Sequence, residues 1–150
     1  MGFAINRLPG LITPTDVSTI SLWEDSVVNY LWIAVGAVVG ASARYFLSDL
    51  MGRHFSQGFP YSTLLINVTG SLVVGFFWIY ATERVPLDPR WKFLIAIGFC
   101  GSYTTFSSYA FENFTLLQRG QWLVAGVNFL ASNVLCLAAV AGGAWLARGL

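Results

Sequence analysis

Charge is what this sequence has least of. Only 10% of its 150 residues are Asp, Glu, Lys or Arg, against about 25% in an ordinary soluble domain. A net charge of +1 offers no basic field for nucleic acid. With one histidine, His54, and two cysteines, Cys100 and Cys136, the sequence holds no cluster of metal-ligand type. Both thiols fall in apolar runs, where cysteine packs as a small residue more often than it pairs. No nucleophile stands beside a base, so an enzyme is the least supported class. The opening residues lack a basic stretch followed by a short apolar core and a cleavage site, so no secretory signal is expected in them. Position 6 is Asn6, which fails the myristoylation pattern after Met-Gly.

What is present is apolar length. Hydrophobic residues make up 56% of the chain, and the mean hydropathy is +0.66. Four runs carry no Asp, Glu, Lys or Arg: Ser26–Ala43, His54–Thr82, Phe93–Phe111 and Gln121–Ala147. A membrane span needs about 20 mostly apolar residues. The pattern predicts an all-α membrane protein with helices near 28–50, 61–82, 91–116 and 121–147. Short connections make successive helices antiparallel neighbours. Residues 1–25, with Arg7, Asp16, Glu24, Asp25, Pro9 and Pro14, read as a polar N-terminal extension. Residues 26–150 form one four-helix domain. Pro60 suits the start of the second helix, and Pro86 and Pro89 make 83–90 a turn.

Lys and Arg in short loops set orientation. One side collects Arg7, Arg84, Arg90, Lys92 and Arg148, the other Arg44, Arg53 and Arg119. So weak a bias is compatible with insertion in both directions, and hence with an antiparallel homodimer. Charge alone does not decide this.

Polar and small residues recur at four-residue spacing, which places them on one helix face. The first helix has Gly36, Gly40 and Arg44. Its glycines suit close helix packing, and Arg44 either snorkels to the interface or sits at a vestibule mouth. The second has Thr63, Asn67 and Ser71; the fourth has Asn128, Ser132 and Cys136, with Asn133 alongside. An asparagine in lipid is either interhelical glue or a donor to an anion. The third crossing is the odd one. Its stretch "GFCGSYTTFSSYAF", Gly98 to Phe111, holds two glycines, two threonines, three serines and two tyrosines. It is either a bent helix or a true break between half-helices whose freed carbonyls can hold a cation. A break must be covered by protein or water.

Three stretches, "GAVVGASARY" (36–45), "NVTGS" (67–71) and "GFCGSYTTFSSY" (98–109), resemble in order and separation the motifs of the Fluc/CrcB-type fluoride channels. The resemblance covers about 120 residues and leaves out the N-terminal extension. It implies a passive fluoride-selective anion channel in the cell (inner) membrane, multi-pass, which exports fluoride from the cytoplasm. It further implies an antiparallel dual-topology homodimer with two pores. A structural sodium ion would sit at its centre, held by the backbone carbonyls of Gly101 and Thr104. By the same resemblance the pore residues are Asn67, Phe106, Ser107, Ser108, Tyr109 and Ser132, with Arg44 as the helix-one arginine. Three positions depart from the pattern: Tyr109 stands for a phenylalanine, Asn128 for a frequent tyrosine, and Ser102 for a glycine. The partners implied are fluoride, a second copy and the lipid bilayer. With Arg44 taken as the one acid/base group in the spans, no proton carrier is expected. A four-helix drug/proton antiporter, which wants an embedded carboxylate, is thereby disfavoured. A non-transporting assembly subunit remains the other rival.

Overall fold

The computed structural model describes residues 17–55 and 58–150, with side chains from residue 26 onward; most of the 1–25 extension therefore lies outside it. Among the described residues all regular structure is helical. Helix α1 spans Val17–His54, and its backbone begins well before the predicted residue 28. Helix α2 spans Tyr61–Ile79 and ends in a π-helical turn, Tyr80–Arg84. The third crossing comes in two pieces. Its first, α3, runs π-helically over Lys92–Cys100 and closes with the α-turn Gly101–Tyr103. Its second, α4, spans Phe106–Gln118. Helix α5 spans Trp122–Gly149.

Three segments are unbroken, long and apolar enough to cross a membrane: Ser26–His54, Tyr61–Arg84 and Trp122–Gly149. Large apolar side chains point outward all around the bundle, among them Tyr45, Phe106, Leu137 and Trp145, each more than 70% exposed. Such a surface suits lipid or a partner rather than water. The chain is a multi-pass membrane protein.

The turns follow from local chemistry. The link from α4 to α5 is a Schellman closure. The Gly120 N–H donates to the Leu117 carbonyl at 3.0 Å and the Gln121 N–H to that of Leu116 at 2.9 Å. Gly120 takes φ +72°, which only glycine adopts without strain. Before α3, the Asp88 carboxylate accepts from the Arg90 N–H at 2.8 Å, holding the proline turn against the helix start.

Packing rests on backbone-to-backbone approach. Within lipid, apolar surface gives helices little reason to associate, so close contact through small residues takes over. Helix α1 lies on α3 where three glycines meet. A Cβ at Gly98 would sit 2.6 Å from the Ile33 carbonyl oxygen, and one at Gly36 would lie 2.9 Å from the Phe99 nitrogen. A Cβ at Gly40 would meet the Phe99 carbonyl. The Gly36/Gly40 pair is thus a packing device, as its spacing suggested. Helix α2 pairs with α5 in the same way, with Gly143 seated on Leu72 and Phe76.

Candidate functional site

The break between α3 and α4 is real. Thr104 (φ −77°, ψ 158°) and Thr105 (φ −151°, ψ 115°) are both extended. An extended residue inside a membrane bundle must find partners for its backbone. Asn67 supplies both: its Oδ1 accepts from the Thr105 N–H at 2.8 Å, and its Nδ2 donates to the Thr105 carbonyl at 3.1 Å. The side-chain amide of α2 thus pairs with Thr105 as a neighbouring strand would. One Asn67 N–H is left over. Glue and donor were posed as alternatives for Asn67; its amide has the capacity for both.

Thr105 also starts α4. Its Oγ1 accepts from the Ser108 N–H at 3.2 Å, which is N-cap geometry. The Thr105 hydroxyl in turn donates to Ser108 Oγ at 3.1 Å, and Ser107 Oγ lies 3.2 Å from it. Replacing Thr105 with Ala is expected to lower stability by about 1 kcal/mol, the ordinary loss of an N-cap. Thermal unfolding in detergent measures it.

These bonds have a consequence for two carbonyls. In an unbroken helix the Gly101 oxygen would receive the Thr105 N–H, and the Thr104 oxygen that of Ser108. The first N–H goes to Asn67 and the second to the Thr105 hydroxyl. Gly101 and Thr104 therefore lose their helical donors. Thr104 ties itself back through its own N–H and hydroxyl to the Cys100 carbonyl, at 3.0 and 2.9 Å. Ser102, where a glycine was expected, uses its hydroxyl on the Ala37 carbonyl of α1 (3.0 Å) and the Gly98 carbonyl (2.5 Å).

Beside the break lies a cavity of about 460 Å³ between α2, α3, α4 and α5. Six of the nine site residues that the resemblance named line it: Asn67, Gly101, Thr104, Phe106, Tyr109 and Ser132. The rings of Phe106 and Tyr109 stand 5.6 Å apart, tilted by 50°. Phe106 is 78% exposed and Tyr109 only 8%. Ser107 and Ser108 are not among the lining residues; Ser107 is exposed, Ser108 half-buried, and both cluster on Thr105. Arg44 is half-buried on α1 and lines neither this cavity nor the next.

A second cavity, about 310 Å³, opens where α1 ends and α2 begins, with Phe55, Tyr61, Ser62, Glu112 and Arg119 in its wall. Glu112 corrects the expectation that Arg44 is the only acid/base group of the spans: it lies on α4, six residues past Phe106. The Thr63 hydroxyl donates to its Oε1 at 2.5 Å. Among the described residues, three buried side-chain atoms have no hydrogen-bond partner: Glu112 Oε2, Asn113 Oδ1 and Asn128 Nδ2. Asn128 is 1% exposed, and its Oδ1 accepts from the Ser132 hydroxyl at 3.3 Å. Buried groups of this kind are where water or an ion is normally held. Sequence spacing already put Thr63 and Asn128 on the faces of Asn67 and Ser132. Glu112 and Thr105 carried signals that were passed over: a lone carboxylate in a hydroxyl-rich run, and a threonine just ahead of a helix.

The chain is similar to known proteins over most of its length. Residues 31–144 match the family model described as CrcB-like protein, Camphor Resistance (CrcB). A "Fluoride-specific ion channel FluC" of Koribacter versatilis is 54% identical over 125 residues, 83% of this chain and 99% of the relative. Proteins of the same description from Roseiflexus sp. and Trichormus variabilis are 44% and 41% identical. Those alignments cover 82% and 85% of this chain, and 99% and 93% of the relatives. These relatives are named as ion channels, not enzymes. With its helix break, the cavity beside it and this likeness, the chain belongs to the CrcB-like family and is not an enzyme.

Proposed function

We propose that this chain is a passive fluoride-selective channel. The observation that carries it is the cavity at the helix break, lined by Asn67, Phe106, Tyr109 and Ser132, in a chain 54% identical to a protein named for fluoride conduction. Fluoride is small and strongly hydrated, so a pore must replace its water with donors. The spare Asn67 N–H can donate, and the edges of the Phe106 and Tyr109 rings carry the positive side of the aromatic quadrupole. Sites of modest strength let the ion enter and leave. An interior-negative membrane drives an anion outward by about 2.3 kcal/mol per 100 mV. In the cell (inner) membrane that clears the cytoplasm of fluoride that entered as neutral HF.

The assembly we propose is an antiparallel dual-topology homodimer with two pores. The outward-facing Phe106 and Gly101 support a second copy against this face. A structural sodium ion fits the donor chemistry. The carbonyls of Gly101 and Thr104 are neutral, hard oxygens released from the helical ladder, and a Cβ on Gly101 would find nothing nearer than the Ala96 oxygen at 3.9 Å. Those two carbonyls would hold the ion, which would supply a fixed positive charge tying the two breaks together.

Glu112 gives the proton-coupled alternative a foothold, and one experiment decides between them. Liposomes loaded with potassium fluoride are diluted into fluoride-free buffer, and efflux is followed with a fluoride electrode. A passive channel releases fluoride rapidly only after a potassium ionophore carries the compensating charge. Rapid release without ionophore points to electroneutral co-transport of fluoride with a proton. No release in either case, from folded protein, overturns transport.

A further inference from the structure

Tyr109 brings to the cavity a hydroxyl, and its neighbour on α5 decides which way that hydroxyl acts. Asn133 Nδ2 lies 2.7 Å from the Phe129 carbonyl oxygen and 3.3 Å from Tyr109 Oη. The first contact settles the amide's orientation. Turned over, Asn133 would set its own carbonyl oxygen against that of Phe129, acceptor against acceptor. Nδ2 therefore uses one hydrogen on Phe129 and the other on Tyr109. The phenolic oxygen is an acceptor in this pair, so its proton points elsewhere. Among the described residues no acceptor is recorded for that proton, while both side chains line the larger cavity. We infer that Tyr109 Oη–H is a hydrogen-bond donor to the permeating anion, and that Asn133 is the positioning residue that keeps it so.

The chemistry favours fluoride among halides. A phenol is a stronger hydrogen-bond donor than the alcohols of Ser107, Ser108 or Ser132, because its ring delocalises charge from the oxygen. Accepting a bond from Asn133 polarises its O–H further. Fluoride, the smallest halide, accepts the strongest hydrogen bonds, so a polarised phenol raises its binding more than that of chloride. This deepens the fluoride-channel proposal and rests on it.

The test measures liposome efflux against fluoride concentration for wild type, Tyr109→Phe, Asn133→Leu and the double variant. Tyr109→Phe keeps the ring, its edge and its volume. Its half-saturating fluoride concentration is expected to rise about tenfold, in keeping with one lost hydrogen bond to an anion, and its fluoride-over-chloride preference to fall. Asn133→Leu leaves the phenol without its partner and should raise the same constant about threefold. In the double variant the Asn133 change adds nothing to that of Tyr109→Phe. An unchanged half-saturation in Tyr109→Phe, or additive effects in the double variant, would overturn the inference while the channel proposal stands. Absence of fluoride efflux from folded wild type would overturn both.

Discussion

Asn67→Asp is expected to reduce fluoride efflux by about a thousandfold. The substitution is almost isosteric, so what changes is charge and hydrogen-bond sense. One carboxylate oxygen can still accept from the Thr105 N–H, at the 2.8 Å where Oδ1 accepts now. The other replaces an N–H donor and faces the Thr105 carbonyl, where the present contact is 3.1 Å. The break would lose half its clamp, and the cavity would gain a negative charge in its wall. Two like charges about 4 Å apart repel by about 4 kcal/mol at the effective dielectric of a partly hydrated site. At about 1.4 kcal/mol per factor of ten, that is close to three decades of anion occupancy. The fluoride electrode measures the fall directly. Efflux within tenfold of wild type would return Asn67 to a purely structural role. Asn67→Leu separates the two contributions, since it removes both hydrogen bonds and adds no charge. Its efflux should lie between the others, with lower thermal stability than Asn67→Asp.

The second large effect is on folding. Gly98→Ala is expected to destabilise the protein by about 3 kcal/mol, near the upper end of overpacking costs. The added carbon would lie 2.6 Å from the Ile33 carbonyl oxygen and 2.9 Å from the Gly36 Cα. Both obstacles are backbone, so no side chain can swing aside, and α1 as a whole would have to retreat from α3. Gly126→Ala is the control, because a Cβ there meets nothing within 4 Å and alanine is the better helix former. Its melting temperature in detergent should stay level or rise, while that of Gly98→Ala falls by several degrees. Equal melting temperatures for the two variants would mean that α1 and α3 are not held by close backbone contact.

Composition was enough to identify a membrane protein, because lipid tolerates so few charges and demands such long apolar runs. The residue types also marked Gly98 to Phe111 as a stretch either bent or broken, and the extended Thr104 and Thr105 make it a break. Four-residue spacing correctly put Asn67 with Thr63, and Ser132 with Asn128, because a single helix fixes its own faces.

Other features were decided by relations between helices, which spacing within one helix does not contain. Nothing in "NVTGS" says that both ends of the Asn67 amide will close on one residue of α4's cap, 38 positions away. The same gap hid Glu112. As a letter it sits near the end of a span, and only the approach of α2 puts the Thr63 hydroxyl on its carboxylate. Ser107 and Ser108 follow the first aromatic in sequence, yet the cap geometry draws them toward Thr105 rather than into the cavity wall. By itself, then, the sequence determined that the chain crosses a membrane, which stretch of its third crossing is irregular, and which faces are polar. The tertiary structure alone decided which of those polar groups meet. The rotation and separation of packed helices come from backbone contacts at Gly36, Gly98 and Gly143, and a few ångströms there decide whether an amide reaches its partner.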